Sequence, residues 1–279
     1  MTLIVWKEDE DFMKWRKILI VICIGVFLYS AWQIVSYFYD NYKSKSTYDK
    51  IRDEYKQQLE IEKEVILSTN KSGNSLITIS PDILDIPAKS EKIYFKERYL
   101  SLIEINKDVV GWISIPNTVI DYPVVQAEDN NFYLRRNIHG EKATAGTIFM
   151  DYKSNALAEG GHIILYGHHM RNGTMFKDLV KYKEEDFFQN HENIQYNTLT
   201  KEMEWEVFSV YISKADFNYR LTEFSSEMKY LEFLHKLEDK SMFKKEIELS
   251  EDDQILTLST CTYEYDDARL VVHARRVME

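Results

Sequence analysis

The stretch Ile18 to Tyr39, ILIVICIGVFLYSAWQIVSYFY, carries no formal charge over 22 residues. A helix of that length crosses the hydrocarbon core of a bilayer. It therefore fixes the plan of the whole chain: a short N-terminal tail, one span, and everything else on the far side. Trp15 and the group Trp32, Tyr37 and Tyr39 suit the two interfaces. The segment is too long for a signal-peptide core. No small-x-small cleavage site follows it, only Asp40-Asn-Tyr-Lys. Lys14, Arg16 and Lys17 directly precede it, which predicts a cytoplasmic N-terminus and an extracellular C-terminal domain. Residues 1–17 then form the cytoplasmic tail, 18–39 the transmembrane anchor, 40–89 a juxtamembrane helical and linker segment, and 90–279 the extracytoplasmic domain.

Ser46 to Ser68 spaces its apolar residues (Tyr48, Ile51, Tyr55, Leu59, Ile61, Val65, Ile66) as an amphipathic helix does. Thr69 to Ser75 has loop composition, and Pro81 and Pro87 bracket an extended stretch. Ser90 is placed to cap a helix running to about Ile105. Beyond Gly111 the pattern becomes short strands: 112–115, 119–125, 146–150, 161–168, 194–196, 205–212, 255–260 and 269–277. Short helices are expected at 129–134, 175–182 and 184–189. A longer one at 225–240 carries Met228, Leu231, Leu234 and Leu237 at every third residue. Many short strands with few helices imply a mostly antiparallel sheet or barrel.

The net charge is −11 and no basic stripe stands out, which argues against nucleic acid as a partner. Of the two cysteines, Cys23 lies in the apolar span, so the globular part holds a lone thiol and no internal disulfide. That thiol, Cys261, ends the strand-like run Gln254-Ile-Leu-Thr-Leu-Ser-Thr-Cys261. A lone cysteine is commonly a small buried hydrophobe. Here it shares its strand face with Ile255, Thr257 and Ser259 and sits where the strand stops, among small hydroxyl residues.

His168 ends another run, Gly161-His-Ile-Ile-Leu-Tyr-Gly-His168, and Gly167 beside it permits close approach of a second chain. The adjacent His169 is its rival. His139, His191 and His235 lie in polar surroundings that predict solvated rings, and His273 falls inside a strand. His162, His168 and His169 lack a zinc-binding spacing, so no metal is predicted. Arg269 opens the last strand, and antiparallel pairing with the strand of Cys261 brings the two to one sheet edge. A thiol nucleophile, an imidazole base and an always-charged guanidinium are the equipment of acyl transfer through a thioester.

The segments LYGHHM (165–170), TLSTC (257–261) and ARLVVHA (268–274) resemble the sortases. The stretch from Gly111 to Gln126, followed by Asp129 to Leu134, resembles those of class B. This resemblance covers about residues 90 to 279. It implies an eight-stranded β-barrel with N-terminal helices and an inserted helix. By motif position it places the catalytic residues at His168, Cys261 and Arg269, and substrate-binding positions at Asn130, Leu134, Tyr166 and Ser259. It implies a cysteine transpeptidase of Gram-positive bacteria that needs no cofactor. Such an enzyme cleaves a C-terminal sorting motif in surface proteins and passes them to a peptidoglycan or lipid II amine. Relatives often carry a glutamate after the nucleophile; here Thr262 stands there and no role is carried to it. A purely hydrolytic cysteine peptidase and a non-catalytic membrane-tethered binding domain are the competing expectations.

Overall fold

Eight strands form beyond Asp108 because the sequence there alternates apolar and polar residues over short runs. In the computed structural model, which describes residues 5–69, 96–213, 217–261 and 268–277, they are β1 Val109–Ser114, β2 Asp121–Gln126, β3 Ile148–Met150, β4 His162–Tyr166, β5 Asn193–Thr198, β6 Glu204–Ser213, β7 Ile255–Cys261 and β8 Arg269–Arg276. They close into a barrel in the order β1-β2-β3-β4-β7-β8-β6-β5. Closure leaves no unpaired sheet edge. The expected eight-stranded barrel is the observed one. Most neighbours are antiparallel, but β2/β3 and β4/β7 run parallel. The expected loop beyond Thr69, the extended stretch at 81–87 and the Ser90 cap lie outside the described residues. The helix expected to end at Ile105 is seen as a 3-10 turn, Glu97–Tyr99, running into α2, Leu100–Ile105.

The alternation of β7 separates two cores. Leu256 and Leu258 join the barrel interior with Leu270, Val272, Ile163 and Leu165. Ile255 belongs to a second cluster on the barrel's outer side, with Val271, Phe208 and Tyr211. That cluster is roofed by Tyr230, Phe233, Leu234 and Leu237 of the helix Glu227–Asp239 (α4; α3 is Glu185–Asn190). The apolar face of α4 differs from the one expected. Leu234 and Leu237 are buried, but Met228 is 70% exposed, and Tyr230 and Phe233 carry the rest of the contact. The reason is helical pitch. Positions 230, 233, 234 and 237 follow the i, i+3, i+4, i+7 spacing of a 3.6-residue period, whereas a strict three-residue spacing drifts off the face. Ser226 caps the helix by accepting from the Lys229 N–H at 3.3 Å.

Helix α1 runs Val5–Thr69, and the chain divides into units Met1–Lys43 and Ser44–Glu279. In the first unit the apolar side chains are outward all round, from Ile18 at 51% to Phe27 at 71% exposed. A helix apolar on every side fits lipid rather than water. In the second unit Tyr48, Ile51 and Tyr55 are buried, as their spacing predicts. The Tyr55 ring stacks on Trp112 of β1 with centroids 3.9 Å apart. Arg98, almost wholly buried, pairs with Glu62 of the helix and Glu202 of the barrel, each at 2.6 Å. Removing one partner of a buried ion pair leaves an uncompensated charge, so this triad fixes the helix to the barrel.

Gly167 is required by packing. A Cβ there would lie 2.5 Å from Ile148 Cδ1 and 2.7 Å from the Phe176 ring. Gly167→Ala is therefore expected to lower unfolding free energy by about 1–3 kcal/mol through overpacking. Denaturant melts of the two proteins check this, and an unchanged midpoint would show that the ring and Ile148 yield freely.

Candidate active site

Strand β7 lies between β4 and β8, and the register across the three sets the site. Tyr166 pairs with Ser259, and Ser259 with Val271. At the end of the ladder Cys261 pairs with Arg269. The parallel ladder continues one residue past β4, where the Gly167 N–H donates to the Ser259 carbonyl at 3.2 Å. His168 follows immediately. Cys261, Arg269 and His168 thus fall at the same end of three adjacent strands. Cys261 has the strand phase of Ile255, Thr257 and Ser259, as expected from the sequence.

The half-buried His168 ring is oriented, among the described residues, by one hydrogen bond: Nε2 lies 2.7 Å from the Leu134 carbonyl oxygen. A carbonyl only accepts, so Nε2 carries hydrogen and Nδ1 is the nitrogen that gains and loses a proton. Burial lowers the imidazole pKa; the Leu134 carbonyl raises it, and the positive charges of Arg135 and Arg269 lower it further. The carbonyl is itself fixed from behind. Gly146, at φ 61°, approaches so closely that a Cβ would lie 2.7 Å from the Leu134 oxygen. Thus Leu134, expected at the substrate groove, also sets the tautomer of His168, while its side chain remains 37% exposed.

The other histidines are engaged elsewhere. Lys177 Nζ lies 2.9 Å from His169 Nε2. His162 is buried and bonded to Leu221 and Thr257. The three imidazoles at 162, 168 and 169 therefore bond to different partners. His191, expected to be solvated, instead stacks on Phe187 with centroids 3.9 Å apart.

Asn130 and Tyr166 meet on a residue that sequence reasoning missed. Asp151 Oδ2 accepts from Tyr166 OH and from Asn130 Nδ2, each at 2.8 Å. Its Oδ1 accepts from the Lys153 N–H at 2.9 Å. Asp151 is buried and directly follows β3, so its role arises from a contact distant in sequence. Burial and the Asp151 carboxylate push the Tyr166 phenol pKa upward, keeping it a neutral donor. The Asn130 side-chain Oδ1 accepts from the Tyr152 N–H at 3.1 Å. Ser259 is buried, and its hydroxyl lies 2.8 Å from Tyr219 OH on the loop after β6. Tyr219 is likewise a residue the sequence reading did not select.

Arg269 is half-buried, and its Nη1 donates to the Ala268 carbonyl at 3.2 Å. Its basic neighbours have other tasks. Arg275 pairs with Glu206 at 3.1 Å, and Arg276 donates to Gln254 Oε1 at 2.6 Å. At this end of the sheet a cysteine position opposes an always-charged guanidinium, beside an imidazole whose free nitrogen is already selected. That arrangement suits acyl transfer.

Residues 113–277 match the sortase domain family. Sortase B of Listeria monocytogenes is 33% identical over 263 residues, covering 94% of this chain and 96% of the relative. The crystal structure of sortase B from Bacillus anthracis superposes with a TM-score of 0.69 at 35% identity, covering 87% of this chain and all of that one. A substrate complex of Staphylococcus aureus sortase B gives a TM-score of 0.67 at 28% identity, covering 85% and 98%.

The electrostatics of His168 carry a sign that NMR can test. In a Cys261→Ala background, which removes any coupled thiol titration, the imidazole is expected to titrate below its ordinary value of 6.5. A cation nearby disfavours the imidazolium, so adding Arg269→Gln raises the midpoint. A midpoint that stays put or falls would mean that Arg269 does not act on this ring.

Proposed function

Because the chain belongs to the sortase family, and within it to the class B sortases, we propose that Cys261, His168 and Arg269 carry its chemistry. The enzyme is a cysteine transpeptidase that anchors surface proteins. The observation that carries the residue assignment is the register: Cys261 opposes Arg269 at the strand end where His168 stands with Nδ1 as its proton-exchanging nitrogen.

The reaction follows from those groups. The sulfur of Cys261 attacks the carbonyl carbon of the sorting-motif peptide bond, and its proton resides on His168 Nδ1. The carbonyl oxygen becomes an oxyanion, which the Arg269 guanidinium stabilises. The C–N bond breaks as Nδ1 delivers its proton to the leaving amine, and a thioester remains on Cys261. An incoming peptidoglycan or lipid II amine attacks the thioester and gives its surplus proton to Nδ1. The thiolate leaves, recovers that proton, and the surface protein is joined through an amide. The Leu134 bond at Nε2 keeps the ring in one orientation through both halves of the cycle. Asn130 and Tyr166, tied to Asp151, line the substrate groove with Leu134 and Ser259.

The apolar helix suits an uncleaved single-pass anchor in the cytoplasmic membrane. Lys14, Arg16 and Lys17 support a cytoplasmic N-terminus and an extracellular barrel.

The test uses the detergent-solubilised full chain and sorting-type peptides, with diaminopimelate, lysine or glycine peptides as amine acceptors. Wild type is expected to form the new amide, and Cys261→Ala none. Arg269→Lys keeps the charge but loses the planar fork, so turnover should fall at least about tenfold, or about 1.4 kcal/mol in barrier. Normal turnover by Arg269→Lys at unchanged stability would remove Arg269 from the site. Hydrolysed peptide alone, with every amine, would instead indicate a hydrolytic peptidase.

A further inference from the structure

Four adjacent strands each contribute one buried polar residue to a continuous hydrogen-bonded chain on the outer face of the barrel: His162 of β4, Thr257 of β7, His273 of β8 and Tyr211 of β6. His162 Nδ1 lies 2.7 Å from the Leu221 carbonyl oxygen, and its Nε2 lies 2.6 Å from Thr257 Oγ1. Thr257 Oγ1 lies 2.7 Å from His273 Nδ1. His273 Nε2 lies 3.0 Å from Tyr211 OH. Its Thr257 and His273 lie two strand positions from the row of Tyr166 and Ser259, and His162 lies in the row of Ile255 beyond them. None of its members has a part in the acyl transfer described above.

Its proton order is determined from one end. The Leu221 carbonyl only accepts, so His162 Nδ1 donates. A neutral ring then leaves Nε2 as acceptor, and the Thr257 hydroxyl must donate to it. With its one hydrogen committed, Thr257 accepts from His273 Nδ1–H. His273 Nε2 finally accepts from Tyr211. Burial keeps both rings neutral: it lowers His162 to about 4 and His273 well below its ordinary value. Every donor in this dry layer has its acceptor, which makes the order rigid.

The end that leaves the sheet is Leu221, on the segment between β6 and α4. Two residues earlier on that segment, Tyr219 places its hydroxyl on Ser259. Tyr219 and Arg220 both act electrostatically on Tyr166. Residues 219–221 therefore border the row that precedes Cys261 and Arg269, and they are held there by two polar points, Tyr219 to Ser259 and Leu221 to His162.

We propose that His162, Thr257, His273 and Tyr211 are positioning residues: through the Leu221 carbonyl they set the loop that walls the sorting-peptide groove beside Tyr166 and Ser259. This rests on the sortase reading of the site. They touch neither the scissile bond nor the groups that move protons, so their loss weakens peptide binding and spares the chemical step.

The decisive variant is Thr257→Val, which keeps the shape and removes the one hydroxyl serving both imidazoles. In the full-length enzyme it is expected to raise KM for the sorting peptide about tenfold with kcat within about threefold of wild type. Alkylation of Cys261 by iodoacetamide should keep its wild-type rate, and Thr257→Ser should restore KM. Tyr211→Phe, which deletes only the terminal donor and keeps the ring, covers the case in which the valine variant does not fold; a smaller rise in KM alone is expected. Nitrogen-15 NMR of the wild type reads the proton order directly, and both His162 and His273 should be Nδ1–H tautomers. An Nε2–H tautomer at either ring would overturn the proposal. So would a fall in kcat at constant KM, or a lowered melting temperature with unchanged kinetics. If wild type turned over no sorting peptide, the sortase reading would fail, while the tautomers would still report on the chain.

Discussion

Everything at the candidate site depends on the register of β7 between its two neighbours. It pairs parallel with β4 on one side and antiparallel with β8 on the other. The first pairing puts Tyr166 beside Ser259 and delivers His168 just past the ladder. The second sets Cys261 opposite Arg269. A slip of one residue would exchange the two faces of the strand. Leu256 and Leu258 would leave the barrel core, and Thr257 and Ser259 would enter it. The cost of burying those hydroxyls among aliphatic side chains, with the apolar burial lost, holds the register in place. The same hydrophobic alternation that stabilises the barrel therefore aligns the reactive residues.

Buried apolar side chains such as Leu256, Leu258, Leu270 and Val272 occupy the barrel core, and the proposed site lies on the outer face. That face is divided along the strands. Toward the start of β7, Ile255 packs under α4. In the middle lies the histidine and threonine layer, where all polar groups bond to one another. At the far end stand Ser259, Cys261 and Arg269, with Tyr166 and His168 alongside. A dry apolar roof, a satisfied polar layer and a reactive edge follow one another along a few residues of strand.

The proposed catalytic positions were legible in the sequence because each lies at or just beyond a strand terminus, where the alternation stops. Cys261, His168 and Arg269 stand out in that way, and the motif resemblance implies the same three positions. The supports of those residues were not legible. Asp151, which joins Asn130 to Tyr166, and Gly146, which backs the Leu134 carbonyl, act through contacts that only the closed barrel creates. Tyr219 reaches Ser259 across 40 residues of chain. The face of α4 was misplaced because aromatic residues at 230 and 233 outweigh Met228, which counting aliphatics alone overlooks. His191 looked solvated because its neighbours in sequence are polar, yet Phe187 one helical turn earlier stacks on its ring. Helix α1 was legible in the span and beyond it at 46–68, since apolar spacing alone distinguishes a helix with one buried face from one that is apolar all round; its start at Val5 was not.

The central claim is that the acyl group of the substrate rests on Cys261 before an amine removes it. Intact-mass analysis of the full-length enzyme, quenched in acid during turnover of a sorting peptide without acceptor, tests it most directly. Peptide mapping of the quenched protein should place the added mass on Cys261 and nowhere else, and brief treatment with hydroxylamine should discharge it. Product release with no adduct at Cys261, or an adduct on another residue such as Cys23, would contradict the account.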